Sequence, residues 1–341
     1  MEKPDTKAFF HVIAPDYPDW LDEYATTPRM QKLANISTTC GIVYSNMFNP
    51  RFFYSVLEHS KAVAAIVWHF THDRRQALAG LFHDIATPAF KHCVDFMNGD
   101  YITQESTEEH TSRFIAESPE IVALLKRDKI KISDIDDYHR YPIADNDTPQ
   151  LSADRLEYTL YNALFTYPIA TLNQISSIYR DIEVQQNPTG VVELGFKTKK
   201  NAREFAVIAS KLSTLYRGDR EVYSMQFIAD ILRSLSQRGD ICVADLYEKT
   251  ESEIIDLINN SQYNTAFHNW CNATKVQSSK TAPKDLYYVH HPTKIRYIDP
   301  LWQGERIFKQ CKTAAKAIEK NLSYDMDKYI YLSQIKAADV Q

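Results

Sequence analysis

Residues able to do chemistry concentrate in one run, Phe82-His83-Asp84-Ile85-Ala86-Thr87-Pro88-Ala89-Phe90-Lys91-His92. An apolar helical stretch, Gln76 to Phe82, delivers the adjacent His83 and Asp84 to a helix end, and Pro88 then breaks the chain. A neutral imidazole beside a carboxylate makes a ligand pair for a hard or borderline divalent cation. His59 lies upstream in Leu57-Glu58-His59-Ser60, and Asp154 downstream in Ser152-Ala153-Asp154-Arg155-Leu156-Glu157-Tyr158. The resulting order is His, His-Asp, Asp, with each donor on a predicted helix. Two His and two Asp leave about two of six octahedral positions open for water and phosphate. Nitrogen ligands of this kind suit Mn, Fe, Ni or Zn over Mg. Such an ion makes water more acidic and draws charge from phosphoryl oxygens, which is what in-line attack on a phosphoester or phosphoanhydride needs. Lys91, Arg51 and Arg155 are the nearest basic residues in sequence for neutralising phosphate oxygens. A second His-Asp pair, His72-Asp73, reads differently: Asp73 is placed to cap the helix that follows.

The elements that must position these donors are helical. Val56, Val63, Ile66, Val67 and Phe70 recur at helical spacing and predict a helix over Tyr54 to Phe70. Asp73 then opens the helix Arg74 to Phe82. Leu156, Leu160 and Leu164 predict a third, Leu151 to Leu164, carrying Asp154. Thr27 before Pro28 reads as a helix start. A helix beginning near Ser106 or Thr107 places Glu108, Glu109 and His110 in its first turn, where acidic residues suit the dipole. Beyond it come a helix over Ile169 to Ile182 and a hairpin turning at Gln185 to Gly190 between Ile182–Val184 and Val191–Phe196. Helices are predicted over Ala202–Tyr216, Val222–Arg238 and Asp245–Asn259, one or two strands within Leu286–Pro300, and a closing helix over Gly304–Leu322. The expected fold is mostly α, a helical bundle with a small β hairpin and a largely helical C-terminal part. The expected division is a catalytic core over residues 1–180 and a C-terminal part over 181–341, packed on it.

Composition agrees. The 341 residues are 44% hydrophobic and 24% charged, with only 8 glycines, which favours helices over a loop-rich protein. No glycine-rich phosphate loop is present, so neither a Walker nor a dinucleotide fingerprint is available. The net charge of −5 offers no electrostatic footprint for nucleic acid. Five scattered cysteines without a CxxC pair fit reduced thiols, neither a disulfide framework nor a zinc ribbon. The polar start Met1-Glu2-Lys3-Pro4-Asp5 has no signal-peptide core behind it, and no apolar run approaches the ~18 residues of a membrane span. The expectation is a cytoplasmic protein without membrane contact.

The donor order resembles the HD superfamily of metal-dependent phosphohydrolases, most closely its deoxynucleoside-triphosphate triphosphohydrolase branch, which contains the bacterial dGTPase and the SAM-and-HD-domain protein of animals. Four segments carry the resemblance over residues 25 to 165: Thr27-Pro28-Arg29-Met30-Gln31-Lys32-Leu33; Glu58-His59-Ser60; His83-Asp84-Ile85 with Phe90 and His92; and Asp154-Arg155-Leu156-Glu157-Tyr158. The resemblance implies that His59, His83, Asp84 and Asp154 hold the metal. It implies that Glu109, or else His110, touches the metal-bound water or the substrate. It implies that Tyr158 packs on a deoxyribose, and that Asn162 replaces the residue reading the 3′-hydroxyl. It also implies a homo-oligomer. The pattern departs from the family at Val56, where an Arg is usual, and at Ala86 and Thr87, where Gly and then His or Asn are usual; Thr87 cannot inherit a histidine's acid role. The expected activity is hydrolysis of a nucleotide, foremost release of triphosphate from a dNTP. A monophosphatase or cyclic-nucleotide phosphodiesterase on the same scaffold is the alternative enzyme. A nucleotide sensor without turnover is the alternative of another class.

Overall fold

The protein is described by a computed structural model over residues 6–49, 52–104 and 110–340. Its centre is a helical hairpin, Val56–Thr71 packed on Arg74–Phe82. The first helix opens with a capping box. Ser55 Oγ accepts from the Glu58 N–H, and the Glu58 carboxylate accepts from the Ser55 N–H at 3.0 Å. It ends where His72 turns into the left-handed region, φ 48°. Asp73 then caps the second helix, accepting from the Arg75 N–H at 2.8 Å, as the sequence predicts. Gly80 lets the two helices close up: a Cβ there would stand 3.3 Å from Val67 Cγ2 and 3.4 Å from Val63 Cγ1. A third helix, Ala153–Tyr161, is capped by Ser152 and joins the same core, with Leu156 and Leu160 among Val63, Ile66 and Val67. It does not run to Leu164 as a regular helix. Asn162–Thr166 widens into a π turn, a device that re-aims side chains at functional sites.

Seven strands follow in the described residues: β1 Ile182–Gln186, β2 Val192–Phe196, β3 Gln277–Ser279, β4 Leu286–Val289, β5 Leu301–Trp302, β6 Glu305–Arg306 and β7 Tyr329–Lys336. The predicted hairpin is present as antiparallel β1–β2, register Ile182 to Phe196. β2 also pairs with β5, in parallel, and β5 turns into β6 through Gln303 and Gly304, both at positive φ. The second sheet runs β3-β7-β4.

Several expectations are corrected. The helix expected over Asp245–Asn259 is two, Val243–Glu248 and Glu251–Asn259, because Thr250 forms its own capping box with Glu253. The closing helix does not begin at Gly304. That glycine turns the β5–β6 hairpin, and helix resumes only as Ile307–Gln310 and Lys312–Leu322. The expectation of one or two strands within Leu286–Pro300 is met by one, β4; the rest lacks a backbone ladder. Thr27 does not cap with its side chain, since its hydroxyl donates backwards to the Tyr24 carbonyl at 2.7 Å. The helix Asn264–Asn272 and strand β7 have no counterpart in the sequence reading.

One apolar cluster spans the chain, joining Val63 and Leu156 to Leu194, Phe205 and Ile318. None of the five cysteines forms a disulfide. Among the described residues, no helix is long and apolar enough to cross a membrane.

Candidate metal centre and its cavity

Three of the predicted donors converge. One ligand atom each of His59, His83 and Asp154 lies within 4.8 Å of the others. His59 Nε2 is 3.1 Å from Asp154 Oδ1, and His83 Nε2 is 3.8 Å from the same oxygen. The tautomers follow from the partners of the opposite nitrogens. His83 Nδ1 is 2.7 Å from the Gly80 carbonyl oxygen, which only accepts, so Nδ1 carries the proton. His59 Nδ1 is 2.5 Å from Glu157 Oε2, a fully buried carboxylate that also accepts from the Tyr54 hydroxyl at 2.6 Å. Both Nε2 lone pairs therefore face the gap. This is the anchoring that orients metal-ligating imidazoles. The donor chemistry fits a divalent cation: two neutral nitrogens and a carboxylate, pre-aimed and mostly buried.

Charge at the centre points the same way. Burial alone would lower the His59 pKa. The Glu157 and Asp154 carboxylates outweigh burial and raise it to about 10, the mark of a strongly negative surrounding. Burial pushes Asp154 up, but its hydrogen bond with His59 and the electrostatic effect of the two histidines hold it well below the usual carboxylate range.

The fourth donor, Asp84, is placed beside this group, with Oδ2 3.5 Å from His83 Nε2 and 3.9 Å from His59 Nε2. Both of its oxygens have protein partners. Lys91 Nζ donates to Oδ2 at 2.7 Å and the Thr87 hydroxyl to Oδ1 at 2.9 Å. Burial opposes ionisation, yet the Lys91 ammonium, then His83 and His59, keep Asp84 ionised far below its ordinary pKa. The loop that brings Lys91 back is tightly bent: Phe90 and Lys91 sit at φ 65° and 43°, uncommon for residues of this bulk.

His59, His83, Asp84, Lys91 and Asp154 line a cavity of about 240 Å³. His92 also lines it, with Nδ1 2.9 Å from Asp95, which is fully buried. Burial, aided by the Arg296 charge, lowers the His92 pKa despite Asp95. Tyr158 and Asn162 line it too, with Tyr216, whose ring lies 6.5 Å from that of Tyr158. Arg155 reaches the lining as well, but its Nη1 donates to Asn146 Oδ1 at 3.0 Å and to the Gln150 carbonyl at 2.9 Å.

Two predicted residues, Arg51 and Glu109, lie outside the described residues. His110 is described, and is not among the residues lining the cavity: its ring packs edge-on against Tyr247, 5.2 Å between centroids, and against Phe114. Sequence reasoning missed Glu157, although its place three residues after Asp154 puts both on one helix face. It also missed the segment Thr293 to Tyr297, which lines the cavity and carries Lys294 and Arg296. No periodicity marks that segment.

No protein-family model matches the chain. It is 23% identical over 248 residues to the uncharacterized protein YdhJ of Bacillus subtilis (strain 168), covering 71% of this chain and 72% of that one. Its fold matches the crystal structure of a phosphohydrolase from Bacteroides thetaiotaomicron VPI-5482, with TM-score 0.63, 14% identity, and 92% and 96% of the two chains covered. A hypothetical protein from Aquifex aeolicus matches with TM-score 0.54, 15% identity and 91% of each chain. At these identities the likeness establishes a shared fold.

Proposed function

We propose that this chain is a metal-dependent phosphohydrolase of the HD superfamily acting on a nucleotide, foremost a dNTP from which it releases triphosphate. The observation that carries the reading is the convergence of His59, His83 and Asp154, from three separate helices, with both Nδ1 atoms anchored so that both Nε2 atoms face one gap. The likeness of fold to a phosphohydrolase supports it. The resemblance of Glu58-His59-Ser60 and Asp154-Arg155-Leu156-Glu157-Tyr158 to the triphosphohydrolase branch favours the dNTP.

In this reading His59, His83 and Asp154 hold a divalent cation, with Asp84 as the fourth ligand. The bound ion supplies Lewis acidity, making water more acidic and neutralising phosphoryl charge. Glu157 keeps the His59 proton on Nδ1. Lys91 and Thr87 keep Asp84 ionised and turned toward the imidazoles. His92, its pKa lowered by burial and its ring oriented by Asp95, takes a proton at Nε2. Glu109 has the role the resemblance implies, orienting the attacking water. Tyr158 and Asn162 face the sugar.

The test is metal analysis of the purified protein together with a product screen in added Mn. The screen covers dNTPs, NTPs, nucleoside monophosphates and cyclic dinucleotides. Nucleoside plus triphosphate from a dNTP is the expected product. Orthophosphate from monophosphates, or an opened cyclic diester, moves the chain to another branch; bound metal with no turnover favours a sensor. His83→Ala and Asp84→Ala are expected to lose both metal and turnover, and full activity in either variant would overturn the ligand assignment.

A further inference from the structure

Four cations line the cavity, Lys91, Arg155, Lys294 and Arg296. Three are held by the protein's own acceptors: Lys91 by Asp84, Arg155 by Asn146 and Gln150, and Lys294 by the Thr103 carbonyl at 2.6 Å. Arg296 is different. Among the described residues its guanidinium makes one hydrogen bond, from Nη2 to Gln104 Oε1 at 3.0 Å, and it has no carboxylate partner. Its carbon stands 6.0 Å from the centroid of the Tyr158 ring. A guanidinium has five N–H donors in a planar fork, so most of this one is uncommitted in a half-buried cavity.

The placement is built. Gln104 is 5% exposed. Its Nε2 donates to Thr293 Oγ1 at 2.9 Å and to the Tyr101 carbonyl at 3.3 Å, which leaves its oxygen as the group that must meet Arg296. The segment 291–297, a strap without a backbone ladder, is pinned by the Lys294 N–H, donating to the Tyr101 carbonyl at 3.0 Å, and by the stacking of His291 on Tyr101 at 4.1 Å. A buried amide and the contacts of this segment thus hold a guanidinium in the cavity that His59, His83 and Asp154 also line.

We propose that Arg296 is the phosphate-binding cation of this site, a second anchor for phosphoryl oxygens, brought to the His59–His83–Asp154 group by the C-terminal half of the chain. The identity of the anion rests on the phosphohydrolase reading; the presence of an anion site at Arg296 does not. A planar fork with free donors recognises phosphate in a bidentate manner. The tyrosine wall of Tyr158 and Tyr216 beside it is left for the organic part of the ester.

The test uses the full-length, Mn-loaded protein and inorganic phosphate as probe. Calorimetric titration of Arg296→Gln is expected to show phosphate binding at least about tenfold weaker than wild type, with unchanged metal stoichiometry. Arg296→Lys should recover part of the loss. Where a hydrolysed substrate is in hand, KM should rise more than kcat falls. Wild-type phosphate affinity in Arg296→Gln overturns the proposal and leaves the metal site standing. A second measurement does not depend on the variant folding: phosphate should slow phenylglyoxal modification of Arg296 in the wild-type protein, read by peptide mass, and absence of protection overturns the proposal. Protection of Arg296 in a protein that neither binds metal nor hydrolyses any ester would sink the phosphohydrolase reading and keep the anion site.

Discussion

A histidine becomes a metal ligand through what holds its other nitrogen. His59 and His83 use two different anchors, a buried carboxylate and a helix carbonyl. The difference has a consequence. The Gly80 carbonyl belongs to the helix of His83 and no side-chain substitution removes it, whereas Glu157 is a side chain. Glu157→Gln removes the charge that favours a protonated Nδ1 and weakens the grip on the ring. Metal affinity is expected to fall by about tenfold to a hundredfold, measured by competition with a chromophoric chelator. Unchanged affinity would show that Asp154 and the fold alone orient His59. Thr87 illustrates the opposite case. It stands where the family resemblance would lead one to expect His or Asn, and its hydroxyl is committed to Asp84, so it steadies a carboxylate.

Among the elements, the helix Glu251–Asn259 controls how the N-terminal segments meet the C-terminal part. Its first residue, Glu251, is fully buried and accepts from the Ser37 N–H at 3.1 Å and the Tyr44 hydroxyl at 2.8 Å. Burial pushes its pKa up from 4.5 to about 7, against these donors. The folded state therefore holds a proton that the unfolded chain has released between about pH 4.5 and 7. Across that window stability falls as pH rises, and above it the penalty is constant. Glu251→Gln keeps an acceptor and removes the titration. Urea unfolding is expected to show the variant gaining on wild type between pH 5 and pH 8; equal slopes for both proteins would refute the assignment. The helical elements around the donors were legible in sequence because their signals are local. Apolar spacing marks Val56–Thr71, and Asp73 marks the start of Arg74–Phe82. The break at Thr250 was equally local, a Thr three residues before Glu253, and was masked by apolar residues continuing on both sides.

On the scale of the whole molecule, the C-terminal half reaches into the donor site twice. The strap brings Arg296 to the cavity. The β5–β6 hairpin holds the start of the Asp154 helix through one buried carboxylate. Arg306 binds Glu193 through both nitrogens, at 2.8 and 2.7 Å, and Glu193 accepts the Leu151 N–H at 3.2 Å. Glu193 is fully buried, so Arg306→Ala would leave its charge unpaired and is expected to cost about 3–5 kcal/mol, read by chemical denaturation. A loss below about 1 kcal/mol would mean a pair of the exposed kind, and would loosen the link between the hairpin and the Asp154 helix.

The amino-acid sequence by itself determined the helical class, the three donor-bearing helices and the identities of His59, His83 and Asp154. Helix periodicity and caps are set by residues within a few positions of one another, and the donors stand at the ends or edges of those helices. Only the tertiary structure decided the remainder: that Glu157 turns onto His59, that Lys91 is committed to Asp84, and that an arginine 192 residues beyond Gln104 meets it at the cavity. Those pairings depend on how loops and an unladdered strap close over the core. The free energy that selects them comes from burial across distant segments, which leaves no periodic trace along the chain.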